Sequence, residues 1–314
     1  MNRINPSEVL FIKLGSKGGW EERCLTIDQT IRLGFNEANH AECLKGNWKS
    51  VLQYYISHYK KKGNSKPERD ANATVKAIKR FYQEGTNTIW ITFYKNKMWW
   101  CFADKKVQLL DDLTKVRNVL GKWSDKDILG NELLTERLSG NLLKTQGFRG
   151  TICSVEESFY ALKKINGEQP QYVIDTKNAL KLLEKKIRPL FEKLTWQDFE
   201  ILVDLIFRQA GWQRVGAVGK TTKFHDLDLY APVTGERCLV QIKASANQRD
   251  FESYCAEFEN MLGYDRFFFV VHSPKEKLSR LVFQHERIKL IRLSELASLT
   301  VKSGLTEWLV AKVS

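Results

Sequence analysis

Two pairs of polar residues on neighbouring predicted strands are the part of the sequence best suited to chemistry. Asp226 and Asp228 are separated by one residue, and so are Gln241 and Lys243. Because side chains alternate along a strand, each pair points to one face of a sheet. The residues that alternate with them are apolar and suit a buried opposite face: Leu227, Leu229, Val240 and Ile242. The segment therefore predicts a β-hairpin with one polar and one apolar face.

The short connection between these strands predicts how they pair. If residues 233–236 close the hairpin, Asp228 lies opposite Gln241 and Asp226 lies opposite Lys243. All four polar side chains then share one face near one end of the hairpin. A slip of one residue would move the two acids to the face opposite the Gln and Lys.

Such a cluster could hold a divalent metal ion. Carboxylate and amide oxygens are ligands that suit Mg²⁺. A neighbouring Lys can orient or help to deprotonate a water, and the metal stabilises charge on a scissile phosphate. Because Gln241 is neutral, a further acid is needed, and Glu200 on the preceding helix is the candidate. The alternative is an exposed polar face with Lys–Asp pairing, and spacing alone does not separate the two interpretations.

The segment 195–243 resembles the PD-(D/E)xK nuclease superfamily, in particular its Mrr-like restriction endonuclease branch. That branch commonly begins with a helix bearing Phe-Glu, here Phe199-Glu200, followed by a Gly-aromatic pair, here Gly211-Trp212. An acid before an apolar residue comes next, here Asp228-Leu229, and then Val-Gln-x-Lys, here residues 240–243. The resemblance covers about 195–314.

The resemblance implies an α/β mixed sheet flanked by helices and a metal-dependent nuclease that uses Mg²⁺ or Mn²⁺. By this resemblance Asp228 and Gln241 hold the metal, Glu200 supports it, and Lys243 acts on the attacking water. The Asp-Gly-Gly usual in the family is absent before Asp228, which leaves open whether Asp226 or Asp228 is the principal ligand. The register above favours Asp228, since it faces Gln241.

A basic loop precedes the hairpin. Lys220 and Lys223 are candidates for phosphate contacts, and a solvated loop is the alternative. The Gly spacing of a P-loop is absent.

The remaining pattern of the second half predicts elements that alternate between helix and strand. The helices are expected at about 174–193, 196–210, 248–262, 274–284 and 293–312, and the strands at 224–231, 237–243, 266–272 and 287–292. This order is typical of a sheet with helices packed on it.

Length and charge indicate two domains and a polyanionic partner. The chain has 314 residues, with 50 Lys and Arg against 37 Asp and Glu, a net charge of +13. We expect a first domain over 1–165, a linker and helix over 166–194, and a nuclease domain over 195–314. Residues 1–170 carry a net +9 and six of the nine Trp residues. Basic residues interleaved with aromatic ones are typical of nucleic-acid binding.

The first half predicts a β-rich domain with two helices. Strands are expected at 8–14, 23–35 (one or two strands), 88–94, 98–103 and 150–155, helices at 47–59 and 73–83, and a basic loop at 60–72. Phe11-Ile12-Lys13, Gly18-Gly19-Trp20-Glu21 and the strands of Trp90 and Trp99-Trp100 resemble PUA-superfamily folds such as EVE and YTH domains. That resemblance implies a small barrel with an aromatic pocket for a modified base. Its pocket candidates are Trp20, Trp90, Trp99 and Trp100, with alternation placing Trp99 and Trp100 on opposite faces.

Taken together, the sequence predicts an α+β two-domain, modification-dependent DNA endonuclease that acts against foreign or phage DNA. The expected partner is double-stranded DNA with a modified base, cut by a homodimer. The alternatives are a nuclease effector activated by RNA or a small ligand, and a nucleic-acid-binding protein whose nuclease fold is inactive. Six dispersed Cys and a start without an apolar leader favour the cytoplasm. No apolar window is long enough for a membrane helix.

Overall fold

The computed structural model of the protein describes residues 3–215 and 225–314. Contacts divide the chain into two units, Met1–Pro170 and Gln171–Ser314. Within the described ranges, no helix combines the length and apolar character needed to cross a membrane.

The first unit is built on a seven-stranded sheet. Its strands are β1 (Glu8–Ile12), β2 (Thr30–Leu33), β3 (Thr88–Tyr94), β4 (Lys97–Ala103), β5 (Gln108–Leu109), β6 (Lys115–Ser124) and β7 (Ile152–Ser154). Neighbours follow the order β2-β6-β4-β3-β1-β7, with β5 also paired to β6. Strands β1 and β3 are parallel, whereas the other pairs are antiparallel. The sheet is therefore mixed. Among the described residues the pairings form an open path, so the expected PUA-like barrel is not shown.

Five α-helices accompany this sheet: α1 (His40–Lys45), α2 (Trp48–Lys61), α3 (Pro67–Gln83), α4 (Gly140–Leu143) and α5 (Ser158–Ile165). Helix α2 is capped by Asn47, whose side chain accepts a hydrogen bond from Ser50 N. The predicted basic loop at 60–72 is wrong over most of its length. Helix α3 begins at Pro67, since Pro suits a first helical position and Glu68 and Asp70 complement the helix dipole. Residues 23–28, expected as strand, form a π-helical turn.

The strands expected at 88–94 and 98–103 form the β3–β4 hairpin, which separates two apolar cores. Its central residues Lys95 and Asn96 both have positive φ, as a tight two-residue hairpin turn requires. Trp99 packs with the core that contains α2 and α3, whereas Trp100 packs with the core on the opposite face. The alternation predicted for this pair is therefore confirmed.

Strand β6 carries two fully buried cations. Arg117 donates to the carbonyl oxygens of Phe81 (3.0 Å), Glu84 (3.0 Å) and Asp104 (2.5 Å). Lys115 donates to the carbonyl oxygen of Phe35 at 2.7 Å. A buried charge is tolerated only when its polar groups are satisfied, and backbone oxygens fulfil that requirement here.

The second unit contains a five-stranded mixed sheet flanked by helices, as predicted. Its strands are β8 (Gln213–Arg214), β9 (Leu227–Tyr230), β10 (Arg237–Ala246), β11 (Arg266–Pro274) and β12 (Ile288–Arg292), in the order β12-β11-β10-β9-β8. Strands β8, β9 and β10 pair antiparallel, and β10, β11 and β12 pair parallel. Its helices are α6 (Gln171–Phe191), α7 (Trp196–Gln209), α8 (Gln248–Glu259), α9 (Glu276–Arg280), α10 (Leu293–Lys302) and α11 (Thr306–Val313).

Two predicted helices of this unit need correction. The segment expected at 274–284 contains only the short α9, and the segment expected at 293–312 contains α10 and α11. The break between them includes Gly304, whose φ of +70° favours glycine. Separate apolar cores lie on the two faces of the sheet, and Leu227, Leu229, Val240 and Ile242 all belong to one of them, as predicted.

Candidate active site

The register of β9 on β10 differs from the predicted one by two residues. Leu239, not Gln241, lies opposite Asp228, and Val240 lies opposite Leu227. The connection has the expected length of four residues but lies one residue earlier: Ala231 N is 2.8 Å from Glu236 O, so residues 232–235 close the hairpin instead of 233–236. A shift by an even number keeps every side chain on its predicted face. The polar face therefore survives, but its cross-strand partners change.

Asp226 is the carboxylate that meets Gln241. Its Oδ2 accepts a hydrogen bond from Gln241 Nε2 at 2.5 Å and another from Ile242 N at 2.6 Å. Gln241 is buried, with 3% of its surface exposed. Both bonds fall on Oδ2, so Oδ1 takes part in neither of them. The two bonds fix the carboxylate against the middle of β10.

Asp228 has different partners. Its oxygens accept from Arg237 Nη2 at 2.9 and 3.2 Å and from the Tyr264 hydroxyl at 3.1 Å. The Arg237 guanidinium also lies 4.7 Å from the centre of the Tyr264 ring. The reason for preferring Asp228 as the principal ligand is therefore wrong, because that preference depended on its facing Gln241.

Glu200 is positioned by the start of α7. The side chain of Thr195 caps this helix by accepting from Asp198 N. The neighbouring Phe199 is buried and packs edge-on against His272, with ring centres 4.7 Å apart. Burial raises the pKa of Glu200, and the negative charge of Asp226 raises it further, while Arg214 and Lys243 lower it. Glu200 thus lies within electrostatic reach of Asp226 and Lys243, and a cavity of about 80 Å³ opens beside it.

Lys243 completes the cluster from β10. Its side chain leaves the same face as Gln241, two residues away, and Nζ lies 5.4 Å from the centre of the Tyr254 ring. The positive charge of Lys243 lowers the pKa of both Asp226 and Glu200. The sequence predicted one site from Glu200, Asp226, Asp228, Gln241 and Lys243. In the structure Asp226 bonds to Gln241, and Glu200 and Lys243 lie within electrostatic reach of Asp226, whereas Asp228 pairs with Arg237.

The donor chemistry of this cluster fits a divalent cation. Burial is the largest influence on Asp226 and raises its pKa, and a second half-buried carboxylate lies nearby. A cation would relieve the cost of holding both acids ionised. Hard oxygens are present on Asp226, Glu200 and the Gln241 amide. No group of three or more His, Cys, Asp or Glu side chains with metal-binding geometry occurs in residues 3–215 and 225–314. The third oxygen ligand would therefore come from the amide.

Sequence reasoning missed two cations at this site. Arg214 donates through Nη2 to the backbone oxygen of Asp226 at 3.3 Å, and its charge lowers the pKa of Glu200. Arg237 donates through Nη2 to Asp228 at 2.9 Å. In the sequence, Arg214 is marked only by its position shortly after Gly211-Trp212. Its contact with Asp226 depends on the pairing of β8 with β9, which spacing alone does not predict.

The remaining predicted site residues are spread over the chain. Lys220 and Lys223 lie outside the described residues. Trp90 is fully buried in the first unit's core, so its ring is not open to a ligand. Trp99 and Trp100 are half-buried, and their indole nitrogens donate to the carbonyl oxygens of Tyr94 and Lys126. Trp20 lines a cavity of the first unit.

Comparison with protein families gives one match. Residues 191–300 match a family model described as restriction endonuclease, of the Mrr catalytic type. No significant match occurs among curated proteins or among solved structures. The matched segment lies within the second unit and contains Glu200, Asp226, Gln241 and Lys243. It supports a restriction-type nuclease domain there, with DNA as the class of substrate.

Proposed function

We propose that the protein is an Mg²⁺-dependent DNA endonuclease whose catalytic centre is Asp226, Gln241, Lys243 and Glu200. The observation that carries this proposal is the carboxylate of Asp226, held by Gln241 and Ile242 N inside the segment that matches restriction endonucleases. Asp228, which the sequence motif favours, instead holds Arg237 and Tyr264 in place.

Each residue of the centre has its own role in the proposed hydrolysis. Oδ1 of Asp226 and the amide oxygen of Gln241 would hold the metal, with Glu200 as a further acid. When bound, the metal lowers the pKa of a water and stabilises charge on the scissile phosphate. Lys243 orients the attacking water and offsets negative charge as the phosphodiester bond breaks. Arg214 bonds to the backbone at Asp226 and favours the ionised form of Glu200 by lowering its pKa.

The finer biological role is part of the same proposal. The first unit reads a modified base, which restricts cleavage by the second unit to foreign or phage DNA. Its net charge of +9 over residues 1–170 supports contact with a polyanion. Each chain offers one such centre, so cutting both strands of a duplex calls for two copies, in a homodimer.

Cleavage of plasmid DNA tests the proposal. Wild-type protein is incubated with unmodified plasmid and with cytosine-modified plasmid, each with Mg²⁺, with Mn²⁺ or with EDTA. We expect metal-dependent cutting that is stronger on the modified plasmid and is abolished by EDTA. Tight binding without cutting under every condition would refute the enzyme and favour an inactive DNA-binding protein. Equal cutting of both plasmids would refute the reading of a modified base.

A nuclease activated by a ligand is the second candidate. It is favoured by a cavity in the first unit that carries two aromatic rings and three cationic side chains. Cutting of unmodified plasmid that starts only when a nucleotide or RNA is added would support this candidate over the first.

A further inference from the structure

The cavity of the first unit combines aromatic and cationic walls. It has a volume of about 380 Å³, within the range of small-molecule sites. Trp20 and Phe35 supply rings, and Lys13, Lys17 and Arg149 supply positive charge. No acidic side chain lines it in the part of the chain that the structure describes. None of the three cations has a carboxylate within 4.0 Å among residues 3–215 and 225–314. The lining of the cavity therefore suits a ligand that is both flat and negatively charged.

Trp20 is held rigidly at this cavity. The guanidinium of Arg32 lies 4.6 Å from the centre of the Trp20 ring, and Arg32 is itself buried and bonded to Thr114 and Asp112. The backbone of Gly15 also lies against the ring: a Cβ at Gly15 would come within 2.9 Å of it, and the φ of Gly15 is +85°. Glycine is required there by both the space and the backbone conformation. The ring is thus fixed before any ligand arrives.

Phe35 is fixed by a second buried cation. Its φ is +53°, an unfavourable conformation for a residue with a bulky side chain. Lys115 Nζ donates to the carbonyl oxygen of Phe35 at 2.7 Å and to that of Asn36 at 3.4 Å. Backbone strain beside a buried cation that bonds two carbonyl oxygens indicates a conformation that the fold maintains at a cost. Each ring of the cavity therefore lies against or beside a buried cation, Arg32 at Trp20 and Lys115 at Phe35.

The cationic side comes from two segments joined by backbone. Lys13 N donates to Thr151 O at 2.8 Å, which brings the chain after β1 beside the stretch that carries Arg149. Lys17 and Arg149 are exposed at this side of the cavity.

We infer that this cavity binds a single nucleotide, with its base on Trp20 and Phe35 and its phosphate on Lys13, Lys17 and Arg149. Aromatic rings hold bases by stacking, and lysine and arginine hold phosphate by charge-assisted hydrogen bonds. The nucleotide is either free or part of a DNA strand from which it has turned out. If the nucleotide belongs to DNA, the inference deepens the proposed reading of DNA and rests on that proposal. If the nucleotide is free, the inference does not depend on the proposed function.

Binding in EDTA tests the inference without any cleavage. The full chain is titrated with dCMP and AMP by calorimetry. In parallel, anisotropy measures its binding to a labelled duplex with one unpaired nucleotide, to the same duplex with an abasic residue at that place, and to a fully paired duplex. Binding of a free mononucleotide that W20L weakens at least tenfold identifies a free ligand. Tighter binding of the unpaired nucleotide than of the abasic residue, by about tenfold in wild type and lost in W20L, identifies a nucleotide within DNA.

Charge reversal supplies a test that does not touch the core. The double variant K13E/R149E should weaken whichever probe binds by at least tenfold and reduce its salt dependence. The control K105E/K106E changes two exposed lysines that do not line the cavity and should have a small effect. The inference is overturned if no mononucleotide binds and wild type does not distinguish the unpaired nucleotide from the abasic residue. It is also overturned if both charge reversals weaken binding equally. Because metal is absent throughout, failure here leaves the nuclease proposal to its own test.

Discussion

Exchanging Asp226 and Asp228 separately for asparagine should give opposite results. D226N removes the charge from the carboxylate that meets Gln241, whereas D228N removes the charge that faces Arg237. The two substitutions are identical in chemistry and lie on the same face of the same hairpin. They therefore serve as controls for each other.

The structure sets the size of each effect. Asp228 is 18% exposed and Arg237 is 40% exposed, so their ion pair lies between a surface pair and a buried one. With the Tyr264 hydrogen bond, we expect D228N to lower the free energy of unfolding by about 1–2 kcal/mol, or about 3–8 °C in melting temperature. Asp226 holds the metal in our proposal. Its loss should slow cleavage roughly 10³-fold, about 4 kcal/mol in the activation free energy.

Two measurements separate the variants. Single-turnover cleavage of plasmid in saturating Mg²⁺ reports the chemical step, and urea denaturation reports stability. We expect D226N to be folded and inactive, and D228N to be less stable but to cleave within a few-fold of wild type. If D228N, verified as folded at the assay temperature, loses cleavage as fully as D226N, the assignment drawn from the observed register is wrong.

Three further predictions concern other parts of the molecule. K243A should lower the single-turnover rate roughly 10²–10⁴-fold without weakening DNA binding in EDTA, whereas K289A, on β12, should change neither. Folding raises the pKa of Glu200 and Asp226, so it favours their protonated forms. In EDTA their contribution to the free energy of unfolding should therefore fall as pH rises from about 4 through these raised values, and in urea denaturation the stability of wild type relative to E200Q should fall over the same range. An E200Q profile with the same slope as wild type would contradict that cause. Because Trp90 is core, W90A should lower the free energy of unfolding by about 3–5 kcal/mol, while W90F should bind DNA like wild type in an anisotropy titration.

Much of the second unit was predictable because its pattern is local. Alternation around Asp226 and Gln241 separates a polar from an apolar face, and this survives any even shift of register. The register itself depends on the turn, where Pro232 and Gly235 allow several loop lengths, and on what Arg237 contacts across the sheet. Sequence spacing does not contain that information. The choice between Asp226 and Asp228 therefore required the structure.

The first unit was harder to predict for a different reason. Residues 60–72 are polar and rich in lysine, which favours a loop. Helix α3 nevertheless begins within them, because its face at Ala71, Thr74 and Val75 is buried against the core of the first unit. Tertiary packing outweighs local preference there. The burial of Arg117 and Lys115 could not be predicted from the sequence, since charged side chains on a strand ordinarily indicate its exposed face.

Arg117 has a consequence for how the first unit opens. Its guanidinium joins the end of α3 and the segment after β4 to the start of β6 through three backbone oxygens. Separating any one of these segments would leave part of a buried charge without its acceptor, so they should open as one cooperative unit. Hydrogen exchange should then report a shared opening free energy for amides in α3 and β6. Lysine lacks the planar fork that reaches all three oxygens, so R117K should let the two elements exchange independently.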